Sequence, residues 1–229
     1  MLNNYRFQIL PPVVKNLLII NIILFIATGV FQSPTFNIDL TKELGLHYWK
    51  SDLFRPWQIV TYMFMHGNFT HILFNMFAVW MFGSHIENRW GSKKFLNYYL
   101  LTGFGAAILH YLIFHFYTLP NIPAIVYADT SPLTAYEYFL QNSNVVGASG
   151  SLFGILLAFG VLFPNTRLML LIPPIPIKAK YFVLGYGLFS LFSGINNNPN
   201  DNVAHFAHLG GMLFGIIIFG YWKLKNEYY

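Results

Sequence analysis

Residues 202–222 read NVAHFAHLGGMLFGIIIFGYW. At about 1.5 Å per residue this run can cross the roughly 30 Å hydrocarbon core of a bilayer. Yet it opens with His205 and His208 and carries a row of glycines. A polar side chain at membrane depth must face a partner or a water-filled cavity. His208, Gly211 and Gly215 are spaced i, i+3 and i+7, so the imidazole points along the face that carries the glycines. Such a face lets a second helix approach backbone to backbone. The stretch is read as a membrane helix that carries a histidine into a tight helix–helix contact.

The rest of the chain agrees. Of 229 residues, 55% are hydrophobic, 19% aromatic and 9% charged, whereas soluble domains carry about 25% charged residues. The mean hydropathy of +0.49 points the same way. This composition excludes a disordered chain and a nucleic-acid binder that reads phosphates through a basic face. The absence of cysteine excludes a disulfide-stapled module, thiol catalysis and thiolate metal sites. Six apolar segments are expected as membrane helices, near 14–31, 70–87, 95–117, 149–164, 177–194 and 204–222. The expected fold is an all-α membrane protein, a compact six-helix bundle forming one domain over 1–229. The first segment is too long for a cleaved signal peptide, and no appended soluble domain is expected at either end.

The charges set the orientation. Arg6, Lys15, Arg89, Lys93, Lys94, Arg167, Lys178, Lys180, Lys223 and Lys225 fall in one set of alternate connections, while Lys42, Lys50 and Arg55 fall in the other. The basic-rich side faces the cytoplasm by the positive-inside rule, so both termini are expected there. Two external loops follow, 32–69 and 118–148. The first, with Tyr48, Trp49 and Trp57, reads as a partly helical segment in the interface. The second, with Pro120, Pro123 and Pro132, reads as extramembrane.

In this orientation the second, fourth and sixth helices all enter from outside, so their first turns share a depth. The second opens with His71 and Asn75, four apart on one face. The fourth opens with Ser149, beside the small-residue pair Gly150 and Gly154. If the two glycine faces pack, Ser149 and His208 come within reach. A serine needs a base to become a nucleophile, and His208 is the candidate. His71 and Asn75 can donate to a developing oxyanion, helped by the N–H groups at the start of the fourth helix. No carboxylate is placed to orient the histidine; Asp201 is the nearest in sequence. The reading is a Ser–His dyad. Each feature alone has a blander explanation: a helix serine usually bonds its own carbonyl, and glycine pairs usually only pack. Convergence at one depth is what those explanations leave out.

At this point the sequence resembles the rhomboid intramembrane serine proteases, from about Arg55 to Gly215. RPWQIVTYMFMHGNFTHILFNMFAVWMFG is similar to the family's approach to its second helix, with H-x-x-x-N at His71 and Asn75. GSHIENRWGSKKFLNYYL resembles the next junction, with Glu87, Arg89 and Gly91 on matching positions. GASG at 147–150 matches the nucleophile motif, placing Ser149 as its serine between Gly147 and Gly150. AHLGGMLFG at 207–215 places His208, not His205, as the base. The resemblance implies a compact rhomboid-like bundle that hydrolyses peptide bonds in or near transmembrane segments of other membrane proteins, without metal or cofactor. It implies oxyanion donors at His71, Asn75 and the backbone of Ala148 and Ser149, and Phe153 against His208. It implies a multi-pass protein of a bacterial-type plasma membrane, with transmembrane substrates and the bilayer as partners and no nucleic acid. Glu87 is expected to tie helix ends together, with Arg89 beside it as an ion pair or cap.

Three rivals remain. A zinc site on His66, His71, His205 and His208 would lack the H-E-x-x-H motif. A transporter would be expected to show an inverted repeat, and none is visible. An inactive rhomboid-like protein that binds membrane helices differs only in chemistry, and both Ser149 and His208 are present.

Overall fold

The computed structural model describes residues 7–121, 137, 140, 143–169, 174–196 and 204–225. Among these, six helical rods form a bundle. The first, α1, spans Pro12–Phe31 and begins where Pro11 and Pro12 preset the backbone. In α2, Phe69–Ala78, a π turn Val79–Gly83 and Ser84–Trp90 run on as one rod. Asn68 starts it, its side-chain oxygen accepting from His71 N at 2.8 Å. Gly91, at φ +80°, reverses the chain in one residue, and α3 follows over Ser92–Ile113, continued by a π turn to Thr118. The remaining rods are α4, Ser149–Leu162, α5, Ala179–Asn196, and α6, His205–Leu224.

By length and apolarity, Pro12–Phe31, Ser92–Thr118 and His205–Leu224 are long enough to cross a membrane, and α4 is shorter. Burial explains the short one. Ten of the fourteen α4 residues are buried, so α4 is the bundle's centre and meets protein rather than lipid on most sides. It packs against α3 and α6, which also pack on each other. The outer rods show the reverse pattern. Ile19, Ile20, Ile23 and Ile26 of α1, and Leu184, Leu188 and Phe192 of α5, are exposed, as lipid-facing positions should be.

Small residues set the central spacing. A methyl group at Gly150 would lie 2.5 Å from Ala106 Cβ, and one at Gly154 2.5 Å from Thr102 Cβ, both on α3. At Gly211 it would run into the Gly150 carbonyl oxygen of α4. The sequence reading paired the two glycine faces with each other. The two faces do meet, Gly211 lying against the Gly150 carbonyl and near Gly154 N of α4, but α3 shares the contact: Gly150 and Gly154 also meet it, and Gly215 meets Tyr98 of α3 as well as Leu157 of α4. Spacing identifies a face, but not every neighbour that fills it.

Residues 32–69 are partly helical, as read from the sequence. Two short helices, Leu40–Leu44 and Gln58–Thr61, and a 3₁₀ turn Tyr62–Phe64 are present. Leu46, Gln58, Tyr62, Met63, Met65 and His66 are buried, so this part of the segment packs into the bundle, while Trp49 and Trp57 are exposed. Gln58 holds it together. Its amide donates to the Glu43 and Leu53 carbonyls, and its oxygen accepts from the backbone of His47 and Arg55. A two-residue strand, β1 (Leu46–His47), pairs antiparallel with β2 (Asn144–Val145), joining this segment to the start of α4. At the opposite end of α4, β3 (Arg167–Met169) and β4 (Pro176–Lys178) make a hairpin that leads into α5. Most of the expected 118–148 loop, and Asp201, lie outside the described residues.

Candidate active site

Ser149 is the first residue of α4, with Ala148 as its N-cap. The N–H groups of that first turn have no acceptor within the helix. Gly147 precedes it at φ +130°, a conformation closed to most side chains, and its N–H donates to the Tyr62 carbonyl at 2.9 Å. The Tyr62 hydroxyl in turn donates to the Gly103 carbonyl of α3 at 2.7 Å. One buried tyrosine thus fixes the approach to the serine against the neighbouring helix.

His208 lies on the first turns of α6, and its Nε2 is 2.9 Å from Ser149 Oγ. The contact of Gly211, one turn after His208, with the carbonyl of Gly150, the residue after Ser149, sets that distance. Phe153 fixes the ring: it stacks on His208 with centroids 4.1 Å apart and planes 12° from parallel, and Tyr186 of α5 covers its other side at 4.8 Å. His205 turns elsewhere. Its ring meets Phe189 of α5 and the edge of His208 at 6.0 Å.

The third contribution comes from α2. The point where a Gly147 Cβ would stand is 2.8 Å from His71 Nε2 and 3.5 Å from Ser149 Oγ. The His71 ring and the serine hydroxyl therefore flank one small volume. Gly147 must be glycine twice over, for its backbone angle and for this crowding. Asn75, one turn on from His71, is buried, and its Nδ2 has no hydrogen-bond partner among the described residues. An unpaired buried amide costs about 1–3 kcal/mol. Ser149 itself is only partly buried, so the hydroxyl is open to an incoming group.

A model of the Rhomboid domain matches residues 54–224. The chain belongs to the rhomboid family. Relatives include a mitochondrial rhomboid-like protein of Arabidopsis thaliana, 29% identical over 77% of this chain and 48% of its own length. Rhomboid protein 1, mitochondrial, of Saccharomyces cerevisiae is 27% identical over 93% of this chain and 57% of its own. A rhomboid protease of Providencia stuartii is 26% identical over 88% and 69%. The chain thus spans about half the length of the first two.

Two residues of this rhomboid site were not singled out as such by the sequence. Tyr62 reads in sequence as one more interfacial aromatic. His66 entered only as a zinc candidate; it is buried, with its ring edge-on to His71 at 4.9 Å and neither nitrogen hydrogen-bonded among the described residues. Burial, reinforced by His71, pushes its pKa down to about 3, so the ring is neutral. Among the described residues no three His, Asp or Glu side chains converge to hold a metal ion. At the far end of α2, Glu87 is buried, its carboxylate accepting from Val13 N, Val14 N and Ser92 Oγ at 2.9, 2.8 and 2.6 Å. Arg89 is exposed and makes no ion pair with it among the described residues. Glu87 thus caps the first turn of α1 and ties it to the start of α3 through buried hydrogen bonds.

Proposed function

We propose that this rhomboid protein is an intramembrane serine endopeptidase that cuts transmembrane proteins through a Ser149–His208 dyad. The observation that carries the reading is the 2.9 Å approach of His208 Nε2 to Ser149 Oγ, inside hydrogen-bond reach for a nucleophile and its base. His208 takes the hydroxyl proton as Oγ attacks the scissile carbonyl carbon. The oxyanion develops between Asn75 Nδ2, the His71 ring and the N–H groups at the start of α4, which point at charge without having to reorganise. His208 then returns the proton to the leaving amine. Water, deprotonated by the same ring, hydrolyses the ester on Ser149 and frees the new carboxyl end.

Depth supports an intramembrane site. A 14-residue helix is about 21 Å long, against about 30 Å of hydrocarbon. With its hairpin end at one boundary, Ser149 lies roughly 9 Å below the other. The distribution of basic residues supports a hairpin end and both termini in the cytoplasm, with the dyad opening outward, and we take the membrane to be a bacterial-type plasma membrane. A substrate helix hides its carbonyls in its own hydrogen bonds, so segments that unwind easily near their outer end, rich in Gly or Ala, are the expected class.

The test is cleavage in proteoliposomes of a panel of single-span proteins with such outer ends, with fragment termini read by mass spectrometry. Wild type cuts within or beside the span, a strong chelator has no effect, and Ser149→Ala is inert. Cleavage by purified Ser149→Ala would refute the dyad.

A further inference from the structure

The contact between His208 Nε2 and Ser149 Oγ fixes one point of the imidazole, not its plane. The torsion that turns a histidine ring about its Cβ–Cγ bond is broad, so the plane of the base is set by what packs on its faces. Phe153 lies flat on the ring, 12° from parallel. It is itself buried, and its second face meets Tyr186 with planes 24° apart. Imidazole, phenyl and phenol thus form one column of near-parallel rings drawn from α6, α4 and α5.

The outer ring of that column stands on a lightly seated helix. The buried residues of α5 are Ala179, Val183, Gly187, Ser190 and Gly194, a narrow stripe of small side chains on one face. Beside it run Phe182, Tyr186 and Phe189, at i, i+4 and i+7. Among the described residues, Tyr186 is the α5 ring that meets Phe153, while Phe189 lies against His205. With 41% of Tyr186 exposed, core filling accounts for only part of its placement; its flat contact is with Phe153. We propose that Tyr186 is a positioning residue for the general base: through Phe153 it holds the His208 imidazole in the plane from which Nε2 reaches Ser149 Oγ. This inference rests on the Ser149–His208 reading and adds a third helix to the parts that prepare the base.

The experiment compares wild type, Tyr186→Phe, Tyr186→Leu and Tyr186→Ala by two readouts. One is the rate of labelling by a small serine-directed fluorophosphonate, which reports activation of Ser149 without a helical substrate having to pass α5. The other is kcat and KM on one single-span substrate in proteoliposomes. The geometric part of an aromatic pair is equivalent to a factor of roughly two to ten, and a base held off line loses more. Tyr186→Phe keeps the flat face and should match wild type. Tyr186→Leu and Tyr186→Ala should label and turn over roughly tenfold more slowly, with KM and, for the leucine variant, the unfolding temperature near wild type. Leu184→Ala, on the exposed side of α5, should leave labelling unchanged. Unchanged labelling in the leucine and alanine variants would overturn the positioning role while the dyad stands. Slower cleavage with unchanged labelling would do the same, marking Tyr186 as a substrate contact. An equal loss in Tyr186→Phe would overturn it in favour of the hydroxyl. A folded wild type that takes no label would overturn the dyad, and this inference with it.

Discussion

Two sets of buried polar side chains along α2, Glu87 and the Asn75–His66 pair, are treated in opposite ways. At the Glu87 end both carboxylate oxygens are occupied, by two backbone N–H groups of α1 and the Ser92 hydroxyl. At the His71 end the Asn75 amide and both nitrogens of His66 stand without partners among the described residues. A charged hydrogen bond contributes about 1.5–3 kcal/mol, and an unmade buried one costs a similar amount. The Glu87 carboxylate therefore adds stability that the Asn75 and His66 groups give up. The loss falls beside Ser149, where a reacting carbonyl would supply what is missing. Stability and chemistry are held at separate ends, and substitutions should respect the division.

The largest effect is expected at the dyad. Ser149→Ala and His208→Ala should each abolish turnover while leaving the unfolding temperature near wild type, measured by peptide release and by thermal denaturation on the same preparations. The two side chains share one hydrogen bond across α4 and α6, while the close glycine contacts around them stay in place in either variant. A folded His208→Ala variant that still cuts would move the base elsewhere.

Asn75→Ala sharpens the contrast. Loss of one oxyanion donor typically costs about 10²–10³ in rate, and backbone donors share the load here. The same change removes an unpaired buried amide, so the unfolding temperature should hold or rise. A large fall in stability would show that Asn75 is a structural side chain, and the two ends would no longer differ in kind.

Glu87→Gln is the mirror experiment. It weakens the bonds to Val13, Val14 and Ser92 and removes the negative charge at the start of α1, for an expected loss of about 1–3 kcal/mol. Turnover per folded molecule should not change. Activity lost at unchanged stability would erase the division.

His205→Ala should be the mildest. Its ring packs toward α5 rather than onto the serine, so turnover should fall far less than in His208→Ala. A deeper loss in His205→Ala, measured on folded protein, would reverse the order of the two histidines.

Sequence reading reached the fold class because lipid imposes a pattern that survives without neighbours: long apolar runs, with basic residues gathered in alternate connections. It also reached the pairing of Ser149 with His208, because a glycine face forces close approach wherever it packs. The share of α3 in that contact was not legible. Gly154 and Gly215 look toward α3, which no spacing within α4 or α6 reveals. Tyr62 links Gly103 to Gly147 across three segments, yet in sequence it is one aromatic among many. The inward path of residues 46–66 depends on Gln58, whose four hydrogen bonds are all to backbone atoms that carry no signature. Glu87 could be foreseen as a tie between helix ends, but not that α1 would be its partner.

The most direct test of the dyad is covalent labelling. Purified protein is treated with a serine-directed fluorophosphonate, digested, and the adduct located by mass spectrometry. The expected adduct is on Ser149, present in Glu87→Gln and absent in His208→Ala. An adduct on another residue, or folded wild type that takes no label, would contradict the account.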